Sequence, residues 1–196
     1  MTALRKHRWT ADEYLAFDRA SDNRHEYYDG EIYNMVGGSS HHAQIAANAI
    51  INLGMVLRDK PCRIYTSDLR VQMPQSFAYP DVTIVCGEPR FLDSKQDTLL
   101  NPTLVIEVLS PSTAAFDRGA KLHSYQALES LQVYMLVEQD APQLELYTRR
   151  SEGWLYTRHT GMETVVELPV LEISLPLAAL YNKVDFSAAA EQGDGV

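Results

Sequence analysis

Two acids stand out for where they sit. Asp81 follows Pro80 at the start of an apolar run. Glu107 interrupts the most apolar run of the chain, Leu104-Val105-Ile106-Glu107-Val108-Leu109. Alternation along a strand puts Asp81, Thr83 and Val85 on one face, and Val105, Glu107 and Leu109 on one face of the other. An ionised carboxylate inside a core strand is costly unless it is paired or holds a cation. Two such acids on neighbouring strands suit a hard divalent cation such as Mg²⁺, which takes oxygen ligands and commonly keeps waters and a phosphate oxygen. The competing reading is that Glu107 pairs with Lys121 or an arginine and does no chemistry.

Thr113, Asp117, Lys121 and Tyr125 recur at intervals of four and share one helical face. For an isolated helix this would be a solvated ion pair over a packed tyrosine. Here the helix leaves the C-terminal end of the strand carrying Glu107 after a four-residue turn. Its first turns can fold back and bring Lys121 within reach of a metal-bound phosphate. His41-His42 open another helix, and His42 lies at the border of its buried face. Histidine suits a metal ligand, a phosphate partner or a proton carrier, or simply an exposed capping region. Glu26 and Glu31 flank Asp29-Gly30 on opposite strand faces, so at most one of them points to a site. Asp68 is either an accessory ligand or an ordinary edge charge. The chain has no Gly-Lys-Ser/Thr phosphate loop, no Gly-x-Gly-x-x-Gly fingerprint and no Gly-x-Ser-x-Gly elbow.

The elements that must position these groups alternate between helix and strand. Thr10 and Glu13 have capping-box spacing ahead of Tyr14, Leu15 and Phe17. Asp29-Gly30 predicts a hairpin between strands 25–28 and 31–36. Ile45, Ala49, Leu53 and Leu57 give the buried stripe of a helix over 41–58, ended by Pro61. Segment 62–73 is β-rich, 74–78 reads as a hairpin loop, 79–86 as a strand and 88–102 as a polar connection. Strand 103–109 leads into a helix over 114–129, then strand 133–137 and a hairpin of 144–149 with 154–159. Segment 164–168 adds an edge strand and 176–181 a last helical turn. With no internal repeat or interior linker, one domain over 1–184 is expected, with a disordered tail over 185–196.

The chain has 196 residues and a net charge of -9, from 17 Lys+Arg against 26 Asp+Glu. Its length predicts one domain with a core that needs no staples. The acidic balance argues against coating nucleic acid through bulk positive charge. It leaves room for a local site where a metal supplies that charge. Local cations for a phosphate backbone are Arg5, Lys6 and Arg8, and Arg118 with Lys121. Arg149, Arg150 and Arg158 are read as solvated surface. Cys62 and Cys86 lack zinc spacing and read as small apolar fillers in strands. No run approaches the roughly 18 apolar residues that would span a bilayer. A soluble, cytoplasmic, reduced protein is expected.

An ordered set of residues resembles one family along most of the chain. It begins with Trp9, Glu13-Tyr14-Leu15, Glu26-Tyr27-Tyr28-Asp29-Gly30-Glu31-Ile32, Met35, Ser39-Ser40 and His42-Ala43-Gln44-Ile45. It continues through Asp68-Leu69-Arg70-Val71, Pro80-Asp81-Val82 and Pro102. Its most specific portion is Val105 to Thr113, then Asp117-Arg118, Lys121 and Tyr125. The chain resembles the Uma-two family of restriction endonucleases, in the PD-(D/E)xK nuclease superfamily. The resemblance implies an α/β (α+β) restriction-endonuclease-like core, a central mixed sheet flanked by helices. It implies Asp81 and Glu107 as ligands for Mg²⁺ or Mn²⁺, with Asp81, Glu107, Lys121 and His42 as the catalytic set and DNA as partner. Glu26, Asp68 and Asp117 are accessory candidates. The superfamily usually has its lysine two residues after the second acid, where this chain has Leu109; Lys121 is the natural substitute. Two other functions stay open: a nuclease-fold binding module without turnover, and a metal-dependent hydrolase of a small phosphorylated molecule. A homodimer would suit double-strand cleavage, and no sequence feature demands one.

Overall fold

The structure is a computed structural model and describes residues 8–35 and 37–186. Helix α1 (Ala11–Ala20) opens on the predicted capping box, with Thr10 and Glu13 each accepting the other's backbone N–H. Strands β1 (His25–Tyr28) and β2 (Glu31–Asn34) form the expected hairpin, its turn made by Asp29 and Gly30 at φ 44° and 84°. Helix α2 (Ser40–Val56) starts at Ser39, whose hydroxyl accepts the His42 N–H. Ile45, Ala49, Leu53 and Leu57 are all buried, as their spacing requires.

Then come β3 (Cys62–Thr66), β4 (Arg70–Met73), β5 (Ser76–Ala78), β6 (Val82–Cys86), β7 (Thr98–Leu99) and β8 (Leu104–Leu109). Helix α3 (Ala114–Phe116), a π-helical turn (Asp117–Lys121) and α4 (Leu122–Gln126) run on as one helical segment. Strands β9 (Val133–Glu138), β10 (Gln143–Arg150), β11 (Gly153–Thr160), β12 (Val165–Leu168) and β13 (Ile173–Pro176) precede α5 (Leu177–Leu180).

The fold is mixed α/β. Its central six-stranded sheet has the order β11-β10-β9-β8-β6-β3, antiparallel except for the parallel pair β8–β9. That pair is parallel because the helical segment 114–126 carries the chain back to the starting end, as a crossover must. One face of this sheet, with Ile106, Met135 and Leu146, packs on α2 and α5. The other, with Val105, Tyr134 and Leu136, packs on Tyr125 and on Tyr28, Val71 and Met73 of a second sheet, β2-β1-β5-β4-β7. The back of that second sheet is closed by α1 through Tyr14, Tyr27 and Phe77.

Several expectations are corrected. Segment 62–73 is not continuous: the chain leaves one sheet after Thr66 and enters the other at Arg70. The expected loop 74–78 contains β5, which is buried and paired on both edges, and 88–102 contains β7. Segment 164–168 pairs with β13 in a small sheet of its own. Arg5, Lys6, Val36 and 187–196 lie outside the described residues, so the expected tail over 185–196 is described only at its first two positions.

The cysteines are not free fillers, and the expectation of a reduced protein is corrected with them. Cys62 and Cys86 face each other across the antiparallel β3–β6 pair and form a disulfide, with Cα atoms 4.0 Å apart. A register of strand pairing, invisible in a sequence separation of 24, brings them together. Replacing both with serine should lower the unfolding free energy by roughly 2–4 kcal/mol through loss of the cross-link. Urea unfolding of the oxidised protein against the double variant measures this. Equal midpoints and slopes would show that the bridge contributes nothing.

Candidate active site

The β6–β8 register pairs Val82 with Ile106 and Thr83 with Val105. Continued by one step, it places Asp81 opposite Glu107. Asp81 precedes the strand proper, so its side chain is free to turn toward β8, where Asp81 Oδ2 accepts the Val108 N–H at 2.7 Å. The second contact of Asp81 Oδ2 is His42 Nε2 at 3.2 Å, from the first turn of α2. The hydrogen bond that His42 donates to Asp81 raises the His42 pKa above its ordinary value, against the opposing effect of burial.

Glu107 is 5% exposed. Its Oε1 takes Lys121 Nζ at 2.9 Å and the Tyr125 hydroxyl at 3.2 Å. Lys121 also reaches Glu26 Oε1 at 3.0 Å and Asp117 Oδ1 at 3.5 Å. The π-helical turn makes this possible. Its wider turn keeps Asp117, Lys121 and Tyr125 together on the sheet-facing side, all buried, while Thr113 is exposed. Thr113 thus leaves the face on which regular spacing placed it.

Burial pushes the Glu107 carboxyl well up; the Lys121 charge opposes this, and Asp117, Asp81 and Glu26 add to it. Burial works against the Lys121 ammonium, but Glu107 and Glu26 outweigh it and hold the lysine charged. The balance of the site is four carboxylates against one lysine and one titratable histidine. Such an excess of negative charge in a closed site favours either protonation or a bound cation.

Hydrogen bonding leaves the two paired acids alike. Asp81 Oδ2 and Glu107 Oε1 each hold two partners, whereas no hydrogen bond is found at Asp81 Oδ1 or Glu107 Oε2 among the described residues. No group of three or more His, Cys, Asp or Glu is arranged to hold a metal by itself among the described residues. A cation here would complete its coordination with water or a phosphate oxygen, as Mg²⁺ commonly does.

The structure brings together Asp81, Glu107, Lys121, His42, Glu26 and Asp117. It does not bring Asp68, which is exposed and paired with Arg24 and Thr66. The hairpin register pairs Tyr28 with Glu31 and Glu26 with Tyr33, so the two glutamates share one face and the expectation of opposite faces is corrected; Glu26 reaches Lys121, whereas Glu31, nearer the turn, accepts from the Tyr33 hydroxyl. Arg118 is not free to meet a phosphate backbone: it is paired with Glu138 and Glu145.

Tyr28 and Tyr79 were not among the sequence candidates. Tyr28 lies two residues after Glu26 on the same face of β1. Its hydroxyl is buried with no hydrogen-bond partner among the described residues, and burial raises its pKa well above the ordinary value. Period-two alternation from Glu26 was the signal that could have found it. Tyr79 donates its backbone N–H to Glu26, and its hydroxyl is bonded to Asp18 of α1 and Arg70 of β4, both buried. No local sequence pattern announces that link.

Gly38 backs the His42 ring. A Cβ there would stand 2.7 Å from His42 Nδ1. Gly38→Ala should push the ring off Asp81 and lower the His42 pKa toward its ordinary value, readable by NMR titration of the ring protons. An unchanged titration would show that the contact with Asp81 does not set it.

Residues 11–178 match a family model, Uma2, described as "Putative restriction endonuclease". Two uncharacterized proteins of Synechocystis sp. are similar. One, slr1290, is 35% identical over 178 residues, 89% of this chain and 92% of its own length. The other, sll1609, is 33% identical over 167 residues, 84% of this chain and 94% of its own length. A solved structure described as a "putative nuclease belonging to DUF820" from Anabaena variabilis shares the fold, with a TM-score of 0.70 at 18% identity. That match covers 87% of this chain and 96% of the other. No helix among the described residues is long and apolar enough to cross a membrane.

Proposed function

The chain belongs to the Uma2 family, and from that premise we propose that it is a divalent-metal-dependent endonuclease acting on the phosphodiester bonds of DNA. One observation carries the reading. Asp81 and Glu107 stand opposite each other, each with one oxygen holding two protein partners and the other accepting no hydrogen bond among the described residues. The donor set fits a hard cation: oxygen ligands, excess negative charge and a neighbouring buried lysine. Asp81 and Glu107 would hold Mg²⁺ or Mn²⁺, which when bound polarises a phosphate and lowers the pKa of a water.

The chain's own residues supply the rest. Lys121 has three N–H donors. Glu107 and Glu26 lie at ion-pair distance of 2.9 and 3.0 Å, and Asp117 stands further off at 3.5 Å, so we assign the donor on the Asp117 side as the least engaged. That donor is the one to orient the attacking water or meet charge building on the phosphate. Tyr125 and Lys121 fix one oxygen of Glu107 and thereby aim the other. Val108 and His42 do the same for Asp81, and His42 stands close enough to carry a proton or contact a phosphate oxygen.

The test is a cleavage assay over single- and double-stranded DNA and RNA with Mg²⁺, Mn²⁺ and Ca²⁺, with Asp81→Ala as control. Cleavage that needs the ion and disappears in the variant is expected. Equal cleavage by both proteins would sink the reading. Divalent binding without cleavage, seen by calorimetry, would instead favour a nuclease fold that binds without turnover, consistent with the close pairing of Lys121 with Glu107 and Glu26.

A further inference from the structure

Directly paired residues share one face of a sheet, so the registers trace rows across it. One row runs from Glu107 through Leu136 and Glu145 to Arg158. The next runs from Val105 through Tyr134 and Tyr147 to Tyr156, and a third pairs Arg149 with Trp154. All three lie on the face that carries Glu107. The tyrosine row begins at the site itself: Tyr125, bonded to Glu107, packs 5.0 Å from Tyr134, whose hydroxyl donates to the Asp117 carbonyl. The row continues to Tyr147 and then to Tyr156 at 5.1 Å.

The outer end of this face is uncovered. Tyr156 is 45% exposed and the Arg158 side chain 54%, while Tyr147 and Trp154 are half-buried beside them; Arg158 Nη2 stands 3.6 Å from the buried Glu145, a longer pairing than the 2.9 Å that Arg118 makes with the same carboxylate. Arg149 lies over the Trp154 ring at 4.5 Å and is tied to the carbonyls of Gln126, Leu128 and Leu131, so that ring is held rigidly. The hairpin β10–β11 carries three arginines against two glutamates in a chain whose net charge is -9. Flat, fixed rings beside cations, on an acidic protein, match a polyanion that also presents flat bases. Bases paired in a duplex are not available to such rings; bases of a single strand are.

We propose that the outer face of the β10–β11 hairpin, Tyr147, Trp154, Tyr156 and Arg158, is a stacking platform for single-stranded nucleic acid that feeds the site at Glu107. Three strand spacings separate Arg158 from Glu107, roughly 14 Å, with Leu136 and Glu145 buried between them. Stacking tolerates any base, so the platform selects strandedness and not sequence. The role of the platform as a substrate guide rests on the nuclease reading; its binding does not.

The experiment titrates a fluorescein-labelled 12-nucleotide thymidine oligonucleotide and a duplex of equal length by anisotropy. It is done in EDTA, so that no cleavage occurs. The wild type should bind the single strand more tightly. Tyr156→Ala should weaken single-strand affinity at least about fivefold, the lower end for one stacked base, and leave its salt dependence unchanged. Tyr156→Phe should retain affinity; Tyr156→Leu, which keeps apolar bulk without a flat ring, should not. Arg158→Ala should reduce the salt dependence. Unchanged affinity in Tyr156→Ala and Tyr156→Leu, tighter binding of the duplex, or no binding of either would overturn the platform. A wild type that binds through Tyr156 and cleaves nothing would retain the platform and remove the nuclease. One that cleaves while Tyr156→Ala binds normally would do the reverse.

Discussion

Lys121→Met should destabilise the protein by about 3–5 kcal/mol near pH 8, the usual result of removing one partner from a buried ionic group. Methionine fills similar space, so the loss is electrostatic. It leaves Glu26, Glu107 and Asp117 facing one another without the ammonium that pairs with all three. The pH dependence identifies the cause. Burial already holds the Glu107 carboxyl well up, and Lys121 pulls it down; without the lysine it rises further. A carboxyl whose pKa is higher folded than unfolded stabilises the fold when protonated, and that stability is lost as pH rises through the folded value. The deficit of Lys121→Met should therefore shrink steadily from pH 8 to pH 5, as denaturant unfolding at each pH will show. A constant deficit would mean that the methylene stem, and not the charge, is what matters.

Glu107→Gln should separate folding from activity. The amide keeps the shape of the side chain but removes the charge that does most to hold Lys121 protonated, so the variant should stay folded at pH 8 with some loss of stability. Lys121 keeps Glu26 and Asp117. Metal-dependent cleavage should nonetheless fall on the order of 10³-fold, since several kcal/mol of charge stabilisation depends on the ion that Glu107 would hold. The rise in melting temperature on adding Mn²⁺ should disappear with it. Wild-type cleavage rates in this variant would remove Glu107 from the chemistry and leave it a structural acid.

The acids were legible because a charge inside an apolar strand contradicts its surroundings, and Glu107 does so openly. Lys121 was legible because a short turn returns the helix over its own strand. Both competing readings of Glu107 meet in the result, since it is paired with Lys121 and still keeps an oxygen clear of hydrogen bonds. The second sheet was not legible. β5 and β7 have three and two residues, too few for any alternation to register, and their burial comes from neighbours distant in the chain. The disulfide and the burial of Asp18 with Arg70 share that cause. Asp68 looked like an accessory acid because a strand was read through 62–73; the turn after Thr66 leaves it in solvent beside Arg24.

The anchoring of Tyr79 joins two equilibria that would otherwise be separate. Asp81 lies just outside the ladder of β6, so that ladder does not fix it. Two residues before it, Tyr79 is held by its amide to Glu26 and by its hydroxyl to Asp18 of α1 and Arg70 of β4. Fraying of α1 should then loosen the chain leading into Asp81, which Val108 and His42 also hold. The docked population of a peripheral helix thus bears on the competent fraction of the site, and any factor that favours the docked helix raises the apparent affinity for what the site holds.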